Sequence, residues 1–121
     1  MSLTYADVTA AHARIRPYIV RTPVVGSEVL DADGNRLFFK AENLQAAGAF
    51  KSRGACNAVF SLSAAEAAPG VVTHSSGNHA AALARAARLR GIPAHIVMPS
   101  NAPKSKVRNV RSEERRVGKE C

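Results

Sequence analysis

The second half of the chain alternates helix-like and strand-like segments, and no other feature constrains the fold as strongly. Val71-Val72-Thr73-His74 and His95-Ile96-Val97-Met98-Pro99 are short apolar runs bounded by turn residues, the pattern of buried strands. Between them lies an Ala-rich helix over 79–90, with Gly91 as its C′ residue and Pro93 behind it. Before them a helix runs from about Lys51 to Leu62, placing Ala55, Ala58, Val59 and Leu62 inward. Ser63-Ala-Ala-Glu66 caps one further short turn, closed by Pro69-Gly70. Ser100-Asn101-Ala102-Pro103 supplies cap residues and a proline for a final helix starting near Lys104. Apolar strands alternating with helices define an α/β chain: a parallel sheet with flanking helices and right-handed crossovers.

The first half is less regular. Thr4-Tyr-Ala-Asp7 has the spacing of a capping box, and Val8, Ala11, His12 and Ile15 then share one helix face up to Pro17. His12 on that face reads as a packed residue. Thr22-Pro23-Val24-Val25 is extended, because the residue before proline avoids the helical region. Asp31 to Asn35 forms a turn leading into a strand over Arg36–Glu42.

Charge and composition narrow the function classes. The chain carries 17 Lys and Arg against 9 Asp and Glu, a formal charge of +8. Nucleic-acid binding is nevertheless not expected: the basic residues are scattered, and 4 Phe, 2 Tyr and no Trp offer few surfaces for base stacking. No apolar run approaches the ~20 residues that span a bilayer, and no basic stretch with an apolar core opens the chain. Two cysteines, Cys56 and Cys121, make no disulfide framework, so the expected compartment is the cytoplasm. Cys56, one turn before Phe60, reads as a core residue.

Two segments could carry chemistry. Lys51 stands at a predicted helix start, flanked by Gly48 and Gly54. The partial positive charge at a helix N-terminus favours a neutral amine, which can attack a carbonyl and form a Schiff base. Ser75-Ser76-Gly77-Asn78-His79 lies where a strand ends and a helix begins, the edge at which parallel sheets bind ligands. Free N–H groups, hydroxyls and an amide there bind carboxylates or phosphates, or they simply cap the helix. His74 and His79 have no acidic or cysteine partner at zinc-site spacing, so no metal site is expected.

Three ordered motifs carry a resemblance. Phe39-Lys-Ala-Glu-Asn-Leu-Gln45, Gly48-Ala-Phe-Lys51-Ser-Arg-Gly-Ala55 and Thr73-His-Ser-Ser-Gly-Asn-His79 resemble the fold-type-II pyridoxal-phosphate enzymes. The branch is that of the threonine/serine dehydratases and serine racemases, and the likeness runs over about residues 17–110. It implies the tryptophan synthase β-like architecture, with 1–46 as the N-terminal segment of a large domain and 47–110 as the first part of a small α/β domain. It implies pyridoxal 5′-phosphate as cofactor, bound by Lys51, which forms the Schiff base and takes the Cα proton, by Asn78 at the 3′ oxygen, and by Phe50 packing alongside. Ser75, Ser76, Asn78 and His79 match the loop that grips the substrate carboxylate, and Ser76 also matches the racemase serine facing Cα opposite the lysine. The implied activity is β-elimination of a small hydroxy amino acid to a 2-oxo acid and ammonia. The alternative in the same family is a serine or hydroxyaspartate-type racemase, and one of another class is a non-catalytic basic binding module. The whole protein would be a homo-oligomer. Ala80-Ala81 stand where Gly-Gln is common, and Ala49 where Ser is common. The family's glycine-rich phosphate loop, its pyridine-nitrogen partner and its metal ligands lie farther along than this chain reaches, so residues 1–121 alone are expected to be inactive.

The last eleven residues, 111–121, change character: seven are charged. The string RSEERRVGKEC resembles a translated sequencing adapter at every position, which makes 111–121 a non-native tail and leaves a charge of +7 on the rest. The tail is expected to make no specific contact and at most to prolong the final helix.

Overall fold

The computed structural model describes residues 2–114. Helix α1 (Tyr5–Ile15) begins at Thr4, whose hydroxyl accepts from the Asp7 N–H while the Asp7 carboxylate takes the Thr4 N–H at 2.8 Å, completing the capping box. Pro17 turns the chain into a 3₁₀ turn over Arg16–Tyr18. Of the predicted inward face only Ile15 is buried; Val8 and His12 are exposed, so His12 is not the packed residue that periodicity suggested. Helix α1 touches the body of the protein through its last turn, and an amphipathic stripe says nothing about how much of its length is covered.

Strands β1 (Val24–Gly26) and β2 (Phe38–Lys40) pair antiparallel, with Val25 opposite Phe39. The second is three residues long, shorter than the Arg36–Glu42 run predicted, because Glu42–Leu44 already forms a 3₁₀ turn. A further such turn, Ala46–Gly48, leads into helix α2 (Lys51–Ser61), and the Ser63 capping box starts the single turn α3 (Ala64–Ala67).

Strands β3 (Val71–His74) and β4 (Ala94–Val97) pair in parallel, Val71 opposite Ala94 through His74 opposite Val97. Helix α4 (Asn78–Arg90) connects them, and Gly91 ends it in the left-handed conformation at φ 73°. Helix α5 (Lys104–Glu114) follows β4. Both strands are covered on one face only. Val71, Thr73, Ala94 and Ile96 are half-buried, whereas Val72, His74, His95 and Val97 are exposed, so the buried strands expected from the sequence are covered only in part among the described residues.

The core is made of small side chains. Ile15, Ala55, Cys56, Val59, Ala82, Leu83 and Ala86 form one cluster, joined by Tyr18 and Phe60, whose rings stack at 3.9 Å. Ala80, Ala81, Ala84 and Val110 form a second on the other side of α4. Alanine on both faces lets α2 and α5 approach α4 closely. On α2 the inward stripe is Ser52, Ala55, Cys56 and Val59. Ala58 is exposed and Leu62 half-buried, against expectation: the buried stripe is turned by roughly 60° toward Cys56.

The tail expectation is met in part. Residues 111–114 do prolong α5. Glu113, however, pairs with Arg88 at 2.9 Å, so this segment makes a specific contact. The remainder, 115–121, lies outside the described residues. Among the described residues no helix is long and apolar enough to cross a membrane.

Candidate active site

Two helix starts converge. Arg85 of α4 approaches Cys56 Sγ of α2 at 4.0 Å, and Arg90 donates to the carbonyls of Val59, Leu62 at 2.7 Å and Ser63 at 3.1 Å. Contacts advance in the same direction along both helices, so α2 and α4 run parallel. Their first residues, Lys51 and Asn78, therefore lie at one end of the pair, the end toward which β3 and β4 point their C-termini. Arg90 also satisfies the carbonyls that α2 leaves free at its other end.

A cavity of about 340 Å³ opens at that shared end. Ala47, Gly48, Ser76, Gly77 and Asn78 line one side, and α5 closes the other through Val110. A second concavity, about 360 Å³, lies at the C-terminal edge of the sheet among Ser75, Ser76, Val97 and Pro99. Ser76 faces both. Ser75 is tied into the loop: its N–H donates to the Val97 carbonyl at 3.1 Å, and its hydroxyl accepts from the Gly77 N–H at 3.2 Å. That leaves α4 without a side-chain cap, and its first intrahelical bond is Ala81 N–H to the Gly77 carbonyl. The N–H groups of 78–80 point from the helix start with no capping partner, the arrangement that receives oxyanions.

Lys51 is the first residue of α2, exposed, with its Nζ 5.0 Å from the centre of the Phe50 ring. Neither Lys51 nor Phe50 lines the 340 Å³ cavity, and His79, exposed one residue into α4, does not line it either. The structure thus joins Ser76 to Asn78, Ser75 to Ser76, and Phe50 to Lys51, and sets the last pair at the same end without a shared wall. Among the described residues no three His, Cys, Asp or Glu side chains come together as a metal site. Burial pushes the Cys56 thiol up, with Arg85 opposing it, so a thiolate nucleophile is disfavoured there.

Sequence reasoning gave no role to the polar network behind Lys51. Arg53 holds Glu42 with two bonds, Nε to Oε2 at 2.8 Å and Nη2 to Oε1 at 2.7 Å, and Thr22 donates to the same carboxylate at 2.5 Å. These bonds hold the Glu42 carboxyl down to about 2, Arg53 contributing most and Thr22 next. Buried Gln45 bonds Val20, and buried Ser52 donates to the Ala46 carbonyl. Glu42 and Gln45 stand inside the first quoted motif, yet the partners Thr22, Arg53 and Val20 lie elsewhere in the sequence, and no local spacing reveals them.

A family profile described as pyridoxal-phosphate dependent enzyme matches residues 15–117. The chain belongs to that family. Its fold is that of the fold-type-II pyridoxal-phosphate enzymes. It is 65% identical over 105 residues to a serine racemase of Arabidopsis thaliana, covering 86% of this chain and 32% of that protein. It is 59% identical over 109 residues to a beta-hydroxyaspartate dehydratase of Paracoccus denitrificans, covering 89% and 35%. The structure of maize serine racemase superposes with a TM-score of 0.88 at 57% identity, over 93% of this chain and 35% of that one. The chain thus spans about a third of the length of the relatives it matches.

The residues present fit the family's cofactor. A Cβ built on Gly77 would meet no atom within 4 Å, so the backbone borders open space that a planar ring or an oxyanion can occupy. Lys51 offers an exposed amine to an aldehyde, and hydroxyl, amide and free N–H donors at 76–80 suit phosphate or carboxylate oxygens.

Proposed function

We propose that this chain is the N-terminal part of a pyridoxal-phosphate enzyme that removes the Cα proton of a small hydroxy amino acid. Ser76 carries the reading: it borders both concavities at the strand edge, beside the uncapped start of α4. The cofactor, when bound, supplies an electron sink for the pair left on Cα. Lys51 would hold the cofactor's aldehyde through its amine, and its Nζ would take the Cα proton of the substrate. Asn78 would donate its amide to the ring oxygen, and Phe50 would pack alongside. Ser75, Ser76, Asn78 and His79, with the N–H groups of α4, hold the substrate carboxylate and fix which bond faces Lys51.

Two outcomes follow from one proton removal. Ser76 Oγ would return a proton on the face of Cα opposite the one that Lys51 deprotonates and so invert Cα, which gives the racemase reading favoured by the serine racemases among the relatives. Departure of the β-hydroxyl as water, followed by hydrolysis, gives a 2-oxo acid and ammonia, the dehydratase reading supported by the Paracoccus relative. The domain division at 46/47, a homo-oligomeric whole protein, a cytoplasmic setting and inactivity of 1–121 alone belong to the same proposal.

The test is chiral analysis and 2-oxo acid release with L-serine, L-threonine and 3-hydroxyaspartate, on the chain and on a protein completed to the relatives' length. The completed protein turns over and Lys51→Ala abolishes both products. Ser76→Ala selectively removes racemisation. A Lys51→Ala protein with undiminished turnover overturns the assignment.

A further inference from the structure

Apart from its place over the Phe50 ring, the Lys51 side chain has no hydrogen bond or ion pair among the described residues, yet the two residues after it are held firmly. Ser52 is 1% exposed and bonds the Ala46 carbonyl. Arg53 grips Glu42 through two bonds, one to each carboxylate oxygen. Successive helical residues are about 100° apart, so Ser52 points inward while Lys51 and Arg53 leave the helix on either side of it. Fixing Ser52 and Arg53 fixes the rotation of the first turn of α2, and with it the direction in which the Lys51 side chain departs. Phe50, the N-cap residue, makes no capping side-chain bond, so beyond the backbone bonds from the Ser52 N–H to the Ala49 carbonyl at 3.2 Å and from the Arg53 N–H to the Phe50 carbonyl at 3.0 Å, the side chains that anchor this turn among the described residues are Ser52 and Arg53. Glu42 is in turn braced by Thr22, which is 3% exposed.

We propose that Thr22, Glu42 and Arg53 form a positioning clamp that sets the azimuth of Lys51 and so makes its amine the preferred one for an aldehyde-bearing ligand. The clamp rests on the reading of Lys51 as the reactive amine. A two-point guanidinium–carboxylate grip defines an orientation, whereas a single ammonium contact defines only a distance. Misplacement of a reacting group by about 1 Å is enough to cost orders of magnitude in rate.

The experiment uses the full chain, pyridoxal 5′-phosphate and borohydride reduction, with the label mapped by peptide mass spectrometry. Its readout is the labelling rate of Lys51 relative to Lys104 and Lys106 on α5. Wild type labels Lys51 preferentially. Glu42→Gln and Arg53→Lys each lower that preference about tenfold or more, with labelling of Lys104 and Lys106 unchanged. Arg53→Lys keeps the charge and loses the fork, so a retained preference in this variant overturns the clamp. Thr22→Val and Thr22→Ser carry the test if the ion-pair variants do not fold: valine lowers the preference and serine, which keeps the hydroxyl, restores it. An equal fall at all three lysines, or none at any, also overturns the clamp. Absence of a Lys51 preference in wild type sinks the reactive-amine reading itself, whereas a wild-type preference that no variant moves sinks the clamp alone.

Discussion

Gln45 and Val20 satisfy each other through both backbone groups of the valine: Val20 N–H donates to Gln45 Oε1 at 2.8 Å, and Gln45 Nε2 donates back to the Val20 carbonyl at 2.8 Å. Gln45 is 3% exposed, and its Oε1 also takes the Ala46 N–H at 3.0 Å. Truncation therefore leaves the Val20 and Ala46 N–H groups unpaired and the Val20 carbonyl with only the longer bond from Arg53 Nη2 at 3.4 Å. Gln45→Ala is expected to lose about 2 kcal/mol or more of unfolding free energy by urea denaturation. A loss below ~0.5 kcal/mol would show that water replaces the amide without cost.

Glu42 gives the fold an acid-sensitive link. Its carboxyl sits near 2 in the folded chain against 4.5 when free, so between those pH values the unfolded chain binds more protons. The contribution is complete above pH 4.5 and drains away as pH falls toward 2. The Asp7 and Glu66 carboxylates are also lowered, so the informative quantity is the difference between wild type and Glu42→Gln. Urea midpoints measured from pH 6 down to pH 3 should converge for the two proteins; parallel curves would exclude the link.

Gly70 has no room for a side chain. Its φ is +90°, and a Cβ there would lie 2.5 Å from the Pro93 carbonyl oxygen, which accepts the Val71 N–H at 2.9 Å. Gly70→Ala combines left-handed backbone with a backbone clash at the first rung of the parallel ladder. A destabilisation of about 2 kcal/mol or more is expected in thermal melts, and an unchanged melting temperature would contradict the geometry.

Gly77 behaves in the opposite way. Its φ of −119° suits other residues and its added Cβ meets open space, so Gly77→Val should leave stability within about 0.5 kcal/mol. The side chain instead fills the cavity beside Ser76 and Asn78. Pyridoxal phosphate capture at Lys51, read by borohydride reduction, should fall sharply; undiminished capture would place the ligand elsewhere.

The adapter reading of 111–121 predicts that the genomic locus, sequenced without adapter ligation, diverges after codon 110. Recovery of the same eleven codons there would return Glu113 and its bond to Arg88 to the native protein.

What the sequence disclosed is what short-range chemistry encodes. The capping boxes at Thr4 and Ser63, the left-handed Gly91 and the two strands each depend on residues a few positions apart. The three motifs located Lys51 at a helix start and Asn78 at another, but not the direction of either side chain. Thr22, Glu42 and Arg53 were opaque because their bonds span 11 to 31 residues with no periodic signature. Apolar composition identified β3 and β4 without telling what covers the second face of each, and the turn of the α2 stripe arises because Cys56 packs against α4 where Ala58 faces solvent.

Running α2 and α4 in parallel has an electrostatic consequence. Each helix is a dipole, and two such dipoles lying side by side in the same sense repel, where antiparallel neighbours attract. The strain is greatest where their positive ends meet, beside Ser76 and Asn78. A dianion seated there relieves it, so occupancy and folding become one linked equilibrium. A ligand that binds only the folded chain adds about 2.7 kcal/mol of stability at a hundred times its Kd. The melting temperature of the chain then reports on its ligand even where no turnover takes place.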